Sequence, residues 1–288
     1  MRRLLKLFKK SYLIVLFLFS SLLFSGFLDH LFTESFAYYK HRGPQQPLEW
    51  LIHQLNFENV LIKPPNPYNY GYRIPNANCG NRSAPNDLVI AVKSALKHFQ
   101  LRKVIRQTWG NVSQYRNFNV AVVFMVGSTP DKNLQDKVTI ENVYYRDILQ
   151  GGFKEDYYNL TVKTLMGLHW LDTQCKYFKY AMFVDDDSYV SPKNTLTYLI
   201  DPEAYPTNEP IKKTDVITGE HKDFLVGRMP IYRLPMRIKF SKYYVSLADY
   251  PYTIYPPFIT GGVQIISRYS IKKLYLASIF TDFYRYVF

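Results

Sequence analysis

Apolar residues fall along this chain in three patterns, and each predicts a different kind of element. One is a long run without charge, Ser11 to Leu28, which reaches the lower length limit for a helix that crosses a bilayer. Another is the short continuous run, seen at Leu88–Val92, Asn119–Val126 and Tyr180–Val184. Such runs do not alternate, as expected of strands buried on both faces of a parallel sheet. The remaining pattern is helical spacing. Over Lys97–Trp109, the residues Phe99, Val104, Ile105 and Trp109 share one side; over Tyr157–Leu171, the residues Leu160, Thr164, Leu168 and Leu171 do the same. Leu134–Asn142 and Ser270–Ser278 are further helix candidates. Strands alternating with helices predict an α/β domain with a mainly parallel central sheet.

Residues 29–86 interrupt this order. Prolines at 44, 47, 64, 65, 67, 75 and 85 break regular structure repeatedly, leaving room for one short helix over Leu48–Phe57. The chain therefore divides into residues 1–10, an apolar segment 11–28, a Pro- and aromatic-rich stem 29–86 and an α/β domain 87–288. Arg2, Arg3, Lys6, Lys9 and Lys10 precede the apolar segment, and Asp29 and Glu34 follow it. The positive-inside rule keeps residues 1–10 cytosolic and sends the rest to the lumen, making 11–28 a type II signal anchor. The alternative, a cleaved signal peptide, has a shorter apolar region and a small-x-small site, and no Ala-x-Ala follows here. In a lumenal chain the sequons at Asn81, Asn111 and Asn159 become glycan sites. Cys79 and Cys175 can pair there or remain separate thiols; spacing alone does not decide.

Composition narrows the function. With 47% hydrophobic residues in 288, global disorder is excluded, and 2 Cys exclude both a disulfide scaffold and a four-Cys zinc finger. The 26 Tyr suit carbohydrate or membrane-interface contact as well as ordinary packing. The formal charge of +13 would suggest nucleic acid, but part of it is the N-terminal topology signal and the rest is dispersed. No zinc finger, RNA-binding aromatic motif or basic helix with heptads accompanies it, so a nucleic-acid partner is not expected.

The sharpest chemical feature is Asp185-Asp186-Asp187, directly after the apolar run Tyr180–Val184. Ligands of open α/β sheets bind beyond the carboxyl ends of the strands. Adjacent carboxylates there repel one another, and a hard divalent cation, Mn2+ or Mg2+, relieves the repulsion and can bridge a diphosphate. This is the logic of a nucleotide-sugar transferase; a solvated acidic loop or a structural calcium loop is the plainer reading of the same residues.

Further blocks add to that reading. Arg102-Lys-Val-Ile-Arg106-Gln-Thr108-Trp109-Gly110, the run Tyr145–Gln150 followed by Phe153–Thr164, Trp170–Cys175 leading into Asp185–Asp187, Phe224–Gly227, and Tyr255–Gly262 occur in that order. Together they resemble glycosyltransferase family 31, the β-1,3-galactosyltransferases and their β-1,3-N-acetylglucosaminyl relatives. The resemblance implies a GT-A fold and a single-pass Golgi membrane enzyme. It also implies a UDP-galactose or UDP-N-acetylglucosamine donor, Mn2+, inversion at the anomeric carbon, and a glycan acceptor on protein or lipid. Carried over by position, Asp187 and Asp185 take the metal, with Asp186 on the nucleotide. Arg102, Arg106, Asp156, Lys163, Gly261 and Gly262 shape the donor site. For the arginines a salt bridge to Asp147 or Asp156 is an equal alternative, and for the glycines a tight turn is. Asn159 serves as a glycan site or borders the donor pocket, and Trp109 is expected in the core.

The family's base lies in a Glu/Asp-Asp-Val-Tyr motif after the last helix. Here Thr281-Asp282-Phe283-Tyr284 matches it poorly. Either the motif falls beyond Phe288, leaving a donor fold without its base, or Asp282 is a surrogate base.

Overall fold

The computed structural model describes residues 2–40, 68–75, 79–115, 117–206 and 223–281, with 47, 50, 51, 64, 66 and 217 besides. The chain divides into two compact units, Met1–His41 with Met229–Phe258 and Arg42–Arg228 with Ile259–Phe288.

The larger unit is built on a seven-stranded sheet: β1 (Tyr72–Ile74), β2 (Asn86–Lys93), β3 (Val120–Ser128), β4 (Ile148–Lys154), β5 (Phe178–Asp185), β6 (Leu225–Gly227) and β7 (Val263–Ser267), in the order β1-β4-β3-β2-β5-β7-β6. The four central strands run parallel, while β1 at one edge and β7 and β6 at the other pair antiparallel. The sheet grows from β2 through β3 to β4 on one side, and β5 returns to the other side. The carboxyl ends of β2 and β5 therefore flank a topological switch point, where open α/β sheets bind ligands.

Both faces of the centre are covered. Leu88, Ile90 and Val92 of β2 pack with Val122, Phe124, Val126, Tyr180, Met182 and Val184. The intervening Val89 and Ala91 pack with Ala121, Val123, Met125, Ala181 and Phe183 on the opposite face. This is why the strands read as continuous apolar runs. The first face carries Ile105 of α2 (Phe99–Gln107), Val138 of α3 (Lys132–Tyr145), and Leu196 and Leu199 of α5 (Pro192–Ile200). The second carries Met166, Leu168 and Trp170 of α4 (Leu160–Thr173) and Ile271 of α6 (Arg268–Ile279). Gly167 lets α4 approach the sheet closely: a Cβ there would lie 2.6 Å from Phe183 and 2.7 Å from Met125. Side-chain caps start several helices, with Asp131 accepting from the Leu134 N–H, Ser191 from Asn194 and Ser267 from Ser270.

Three elements depart from the expected pattern. β1 lies inside the segment read as a stem, so that segment supplies an edge strand. β4 contains Gly151-Gly152, which breaks the apolar run that marks the other parallel strands. The expected helix start at Tyr157 is a 3₁₀ turn, Tyr157–Asn159, and α4 begins at Leu160. Most of the helix expected over Leu48–Phe57 lies outside the described residues. Cys79 and Cys175 form a disulfide, with Cα atoms 5.5 Å apart, tying the chain before β2 to the end of α4.

The smaller unit contains α1 (Arg2–Ser25), two 3₁₀ turns and the loop-rich segment 229–258. Gly26 closes α1 with φ of 80°; a side chain there would meet the Arg237 carbonyl. Arg237 is fully buried, its guanidinium donating to the carbonyls of Val245, Ser246, Tyr250 and Tyr252. Burial lowers its pKa. Among the described residues no helix is long and apolar enough to cross a membrane; the described side chains of α1 begin at Lys10.

Candidate active site

β2 and β5 run in register to Lys93 opposite Asp185. Their side chains meet there, Lys93 Nζ lying 2.9 Å from Asp185 Oδ1, and the same ammonium donates to the Gly261 carbonyl at 2.5 Å. The Asp185 N–H donates to the Gly262 carbonyl. Glycine at 262 leaves space beside the acids: a Cβ there would meet nothing within 4 Å.

The three aspartates have different surroundings. Asp186 turns inward, accepting from Ser94 Oγ at 2.6 Å and lying 2.8 Å from His98 Nδ1. His98 sits at the N-cap of α2 but makes no cap bond. Asp185 is shared between Lys93 and solvent, its side chain 41% exposed. Asp187 is exposed, and among the described residues no hydrogen bond or ion pair engages it. The strand thus ends in a graded series from anchored to free.

Lys163 is buried on α4, its Nζ donating to the Ser94 carbonyl at 2.5 Å and to Glu155 at 2.6 Å. Burial lowers its pKa, against the opposing pull of Glu155. Glu155 also accepts from the Gly127 N–H at 2.6 Å. Lys163 therefore fixes the β2–α2 loop from below, and Arg102 fixes it from the side, donating to Ser94 Oγ, the Ala95 carbonyl and the Leu96 carbonyl.

Several residues expected at the donor site have protein partners in this geometry. Arg106 lies with Glu141 and Asp147 at 2.7 Å from each, its guanidinium over the rings of Phe124 and Tyr145. Burial alone would lower its pKa, but the hydrogen bonds and charges of Asp147 and Glu141 raise it. The salt-bridge alternative is thus the one realised, with Asp147, and Glu141 joins it to Arg102. Asp156 caps the 3₁₀ turn by accepting from the Tyr158 N–H; the acid that pairs with Lys163 is its neighbour, Glu155. Asp186 is turned into the protein rather than toward open space. Asp282 lies outside the described residues.

Among the sequons, Asn81 and Asn111 are exposed, each holding the hydroxyl of its own serine. Asn159 differs: its amide nitrogen donates to the Lys154 carbonyl, a bond that a glycan on that nitrogen would disturb. Trp109 packs in the core.

Lys93, Ser94, His98, Glu155 and Glu141 were not singled out from the sequence. Lys93-Ser94 could have been, because it ends a buried strand just as Asp185 does.

Mn2+ is the cation the resemblance implies, and Mg2+ suits the same hard oxygen ligands. No group of three or more His, Cys, Asp or Glu able to hold a metal occurs among the described residues. Asp187, exposed, and Asp185, partly exposed and paired with Lys93, are the carboxylates such an ion would use, one or two carboxylates with substrate phosphates being the usual Mg2+ set. A groove of about 770 Å³ opens between the last turn of α2 and the start of α5, and its lining includes Tyr189, which follows the aspartates in the chain. Tyr189, Tyr115, Gln114, Asn117 and Lys193 line it with aromatic faces, amides and a cation.

The sequence pattern of the galactosyltransferase family matches residues 100–286. The chain is 33% identical over 202 residues to a β-1,3-galactosyltransferase of Drosophila melanogaster, covering 70% of this chain and 57% of that protein. It is 32% identical over 225 residues to β-1,3-galactosyltransferase 1 of Mus musculus, covering 78% and 64%. It is also 32% identical over 243 residues to a lactosylceramide 1,3-N-acetyl-β-D-glucosaminyltransferase of Xenopus laevis, covering 80% and 60%. The chain spans less than two thirds of the length of each of these relatives.

Proposed function

The chain belongs to the galactosyltransferase family, and we propose that it is a β-1,3-hexosyltransferase that moves galactose from UDP-galactose to a glycan on protein or lipid. The observation that carries the proposal is the graded aspartate series at the switch point, with Lys93 between the two strand ends. The N-acetylglucosaminyl relative makes UDP-N-acetylglucosamine the second donor reading.

In this reading Asp187 and Asp185 would hold Mn2+ or Mg2+, and such an ion would supply charge stabilisation to a departing diphosphate. Lys93 adds a fixed positive charge at the same place. Asp186 holds the β2–α2 loop against β5 through Ser94 and His98. The space beside Gly262 admits the sugar. Transfer forms a bond from an acceptor hydroxyl oxygen to the anomeric carbon as the bond to UDP breaks, with inversion, and the hydroxyl proton passes to a carboxylate base, for which Asp282 is the candidate in this sequence. The groove beside Tyr189 is the proposed acceptor seat, since a tyrosine face and side-chain amides match a pyranose ring and its hydroxyls. The membrane anchor at residues 11–28 and a lumenal Golgi location remain part of the proposal; the disulfide accords with an oxidising compartment.

The test is donor turnover by the full chain in Mn2+. Asp187→Asn is expected to lower kcat/KM by about 100-fold, or about 2.7 kcal/mol, with an unchanged melting temperature. Tyr189→Ala should raise the acceptor KM and leave the donor KM in place. Turnover indifferent to Asp187→Asn would remove the aspartate series from the mechanism.

A further inference from the structure

The smaller unit carries a surface that the transferase reading leaves unexplained. Along residues 229–243, Met229, Ile231, Tyr232, Leu234, Met236, Ile238, Phe240 and Tyr243 are all exposed, with Ile231 90%, Tyr232 85% and Phe240 82% accessible. Lys239 and Lys242 are exposed among them, and no Asp or Glu occurs from 229 to 248. Soluble surfaces seldom gather so many large apolar side chains in one stretch. Apolar and aromatic side chains mixed with cations, without acids, fit the boundary between headgroups and acyl chains.

The placement of this stretch within its unit supports the same reading. Lys239 donates its backbone N–H to the Ser25 carbonyl at 2.8 Å, and Arg237 packs its carbonyl against Gly26. The stretch is therefore tied to the carboxyl end of α1. The side chains from Tyr12 to Phe19 are all exposed, so over these two turns every face of the helix is apolar and uncovered. Such a helix calls for an apolar surrounding. Arg237, held by four carbonyls, fixes the stretch in this position.

We propose that residues 229–243 seat on the bilayer leaflet where α1 emerges, with Ile231, Tyr232 and Phe240 entering the interface and Lys239 and Lys242 facing the headgroups. This rests on the reading that α1 lies in lipid. It makes the protein's attachment a surface and a helix together.

The experiment uses the full chain in phosphatidylcholine–phosphatidylserine vesicles. Because both native cysteines are in the disulfide, a single introduced cysteine takes a nitroxide label alone. Labels are placed by Ile231→Cys, Phe240→Cys, Leu18→Cys and, as a water-exposed control in the larger unit, Tyr144→Cys. Collisions with oxygen report lipid, and collisions with a nickel chelate report water. The proposal expects positions 231 and 240 to lose nickel collisions as position 18 does, while 144 keeps them. If 231 and 240 behave like 144 while 18 stays in lipid, the seating is wrong and the anchor stands. If 18 is also in water, the anchor reading falls and this inference with it. Label–label broadening at 231 would show a second copy covering the stretch and would overturn the lipid assignment.

Discussion

Two clusters of charge lie at the β2–α2 corner of the larger unit and share Arg102's neighbourhood, yet they are built on opposite terms. In one, Arg102 and Arg106 face Glu141 and Asp147; charges are matched, side chains are largely buried, and each carboxylate meets a guanidinium. In the other, Lys93 serves Asp185, while Asp187 is left in solvent without a described partner. Taking charges out of water costs several kcal/mol per ion, so a buried cluster must be closed to be tolerated. A closed cluster has no donors to spare for a substrate, whereas an open one does. The arginine motif is therefore a closed ion-pair cluster, and the aspartate series is the open one that the proposed function takes as its donor site.

The largest effect should come from opening the closed cluster. Arg102→Leu leaves Glu141 with Arg106 alone and removes the donors that hold the Ser94 loop, and is expected to cost about 3–5 kcal/mol of stability, read by urea unfolding. Cys175→Ser releases a link across a separation of 96 residues and should cost about 2–5 kcal/mol, read the same way. Arg106→Lys keeps a charge but loses the fork that reaches two carboxylates, and should cost about 1–2 kcal/mol with UDP affinity unchanged. If Arg106→Lys instead weakened UDP binding at constant stability, the division between scaffold and site would be wrong.

The smallest effect concerns a titratable side chain outside both clusters. His169 stacks on Tyr68 and Tyr72 and lies 2.6 Å from the Tyr72 hydroxyl. Burial holds its pKa below the ordinary 6.5, opposed by Asp172. Below 6.5 the unfolded chain therefore takes up the proton more readily than the folded one. The contribution is intact above that pH and declines as pH falls from about 6.5 toward the lower folded value. His169→Phe should flatten this part of the stability profile in thermal melts at stepped pH.

How far the sequence revealed this molecule depended on whether a residue's partner was nearby in the pattern. The three apolar runs marked β2, β3 and β5 because strands buried on both faces need no alternation. β4 escaped because Gly151 and Gly152 interrupt its run, and β1 because prolines surround it. The aspartate series was legible because it follows a strand directly. Lys93 and His98 were not, since their meaning comes from strand register and from a helix start opposite Asp186. Asp156 came from the position it holds in the family's motif, and only the fold shows that the acid facing Lys163 is its neighbour, Glu155.

The central claim is that the open cluster, and not the arginine cluster, receives the donor. Calorimetric titration of UDP into the full chain with Mn2+ tests it most directly, comparing wild type, Asp187→Asn and Arg106→Lys. Binding abolished by Asp187→Asn and by Mn2+ removal, but retained in Arg106→Lys, is the predicted result. Binding retained in Asp187→Asn and abolished in a folded Arg106→Lys would contradict it.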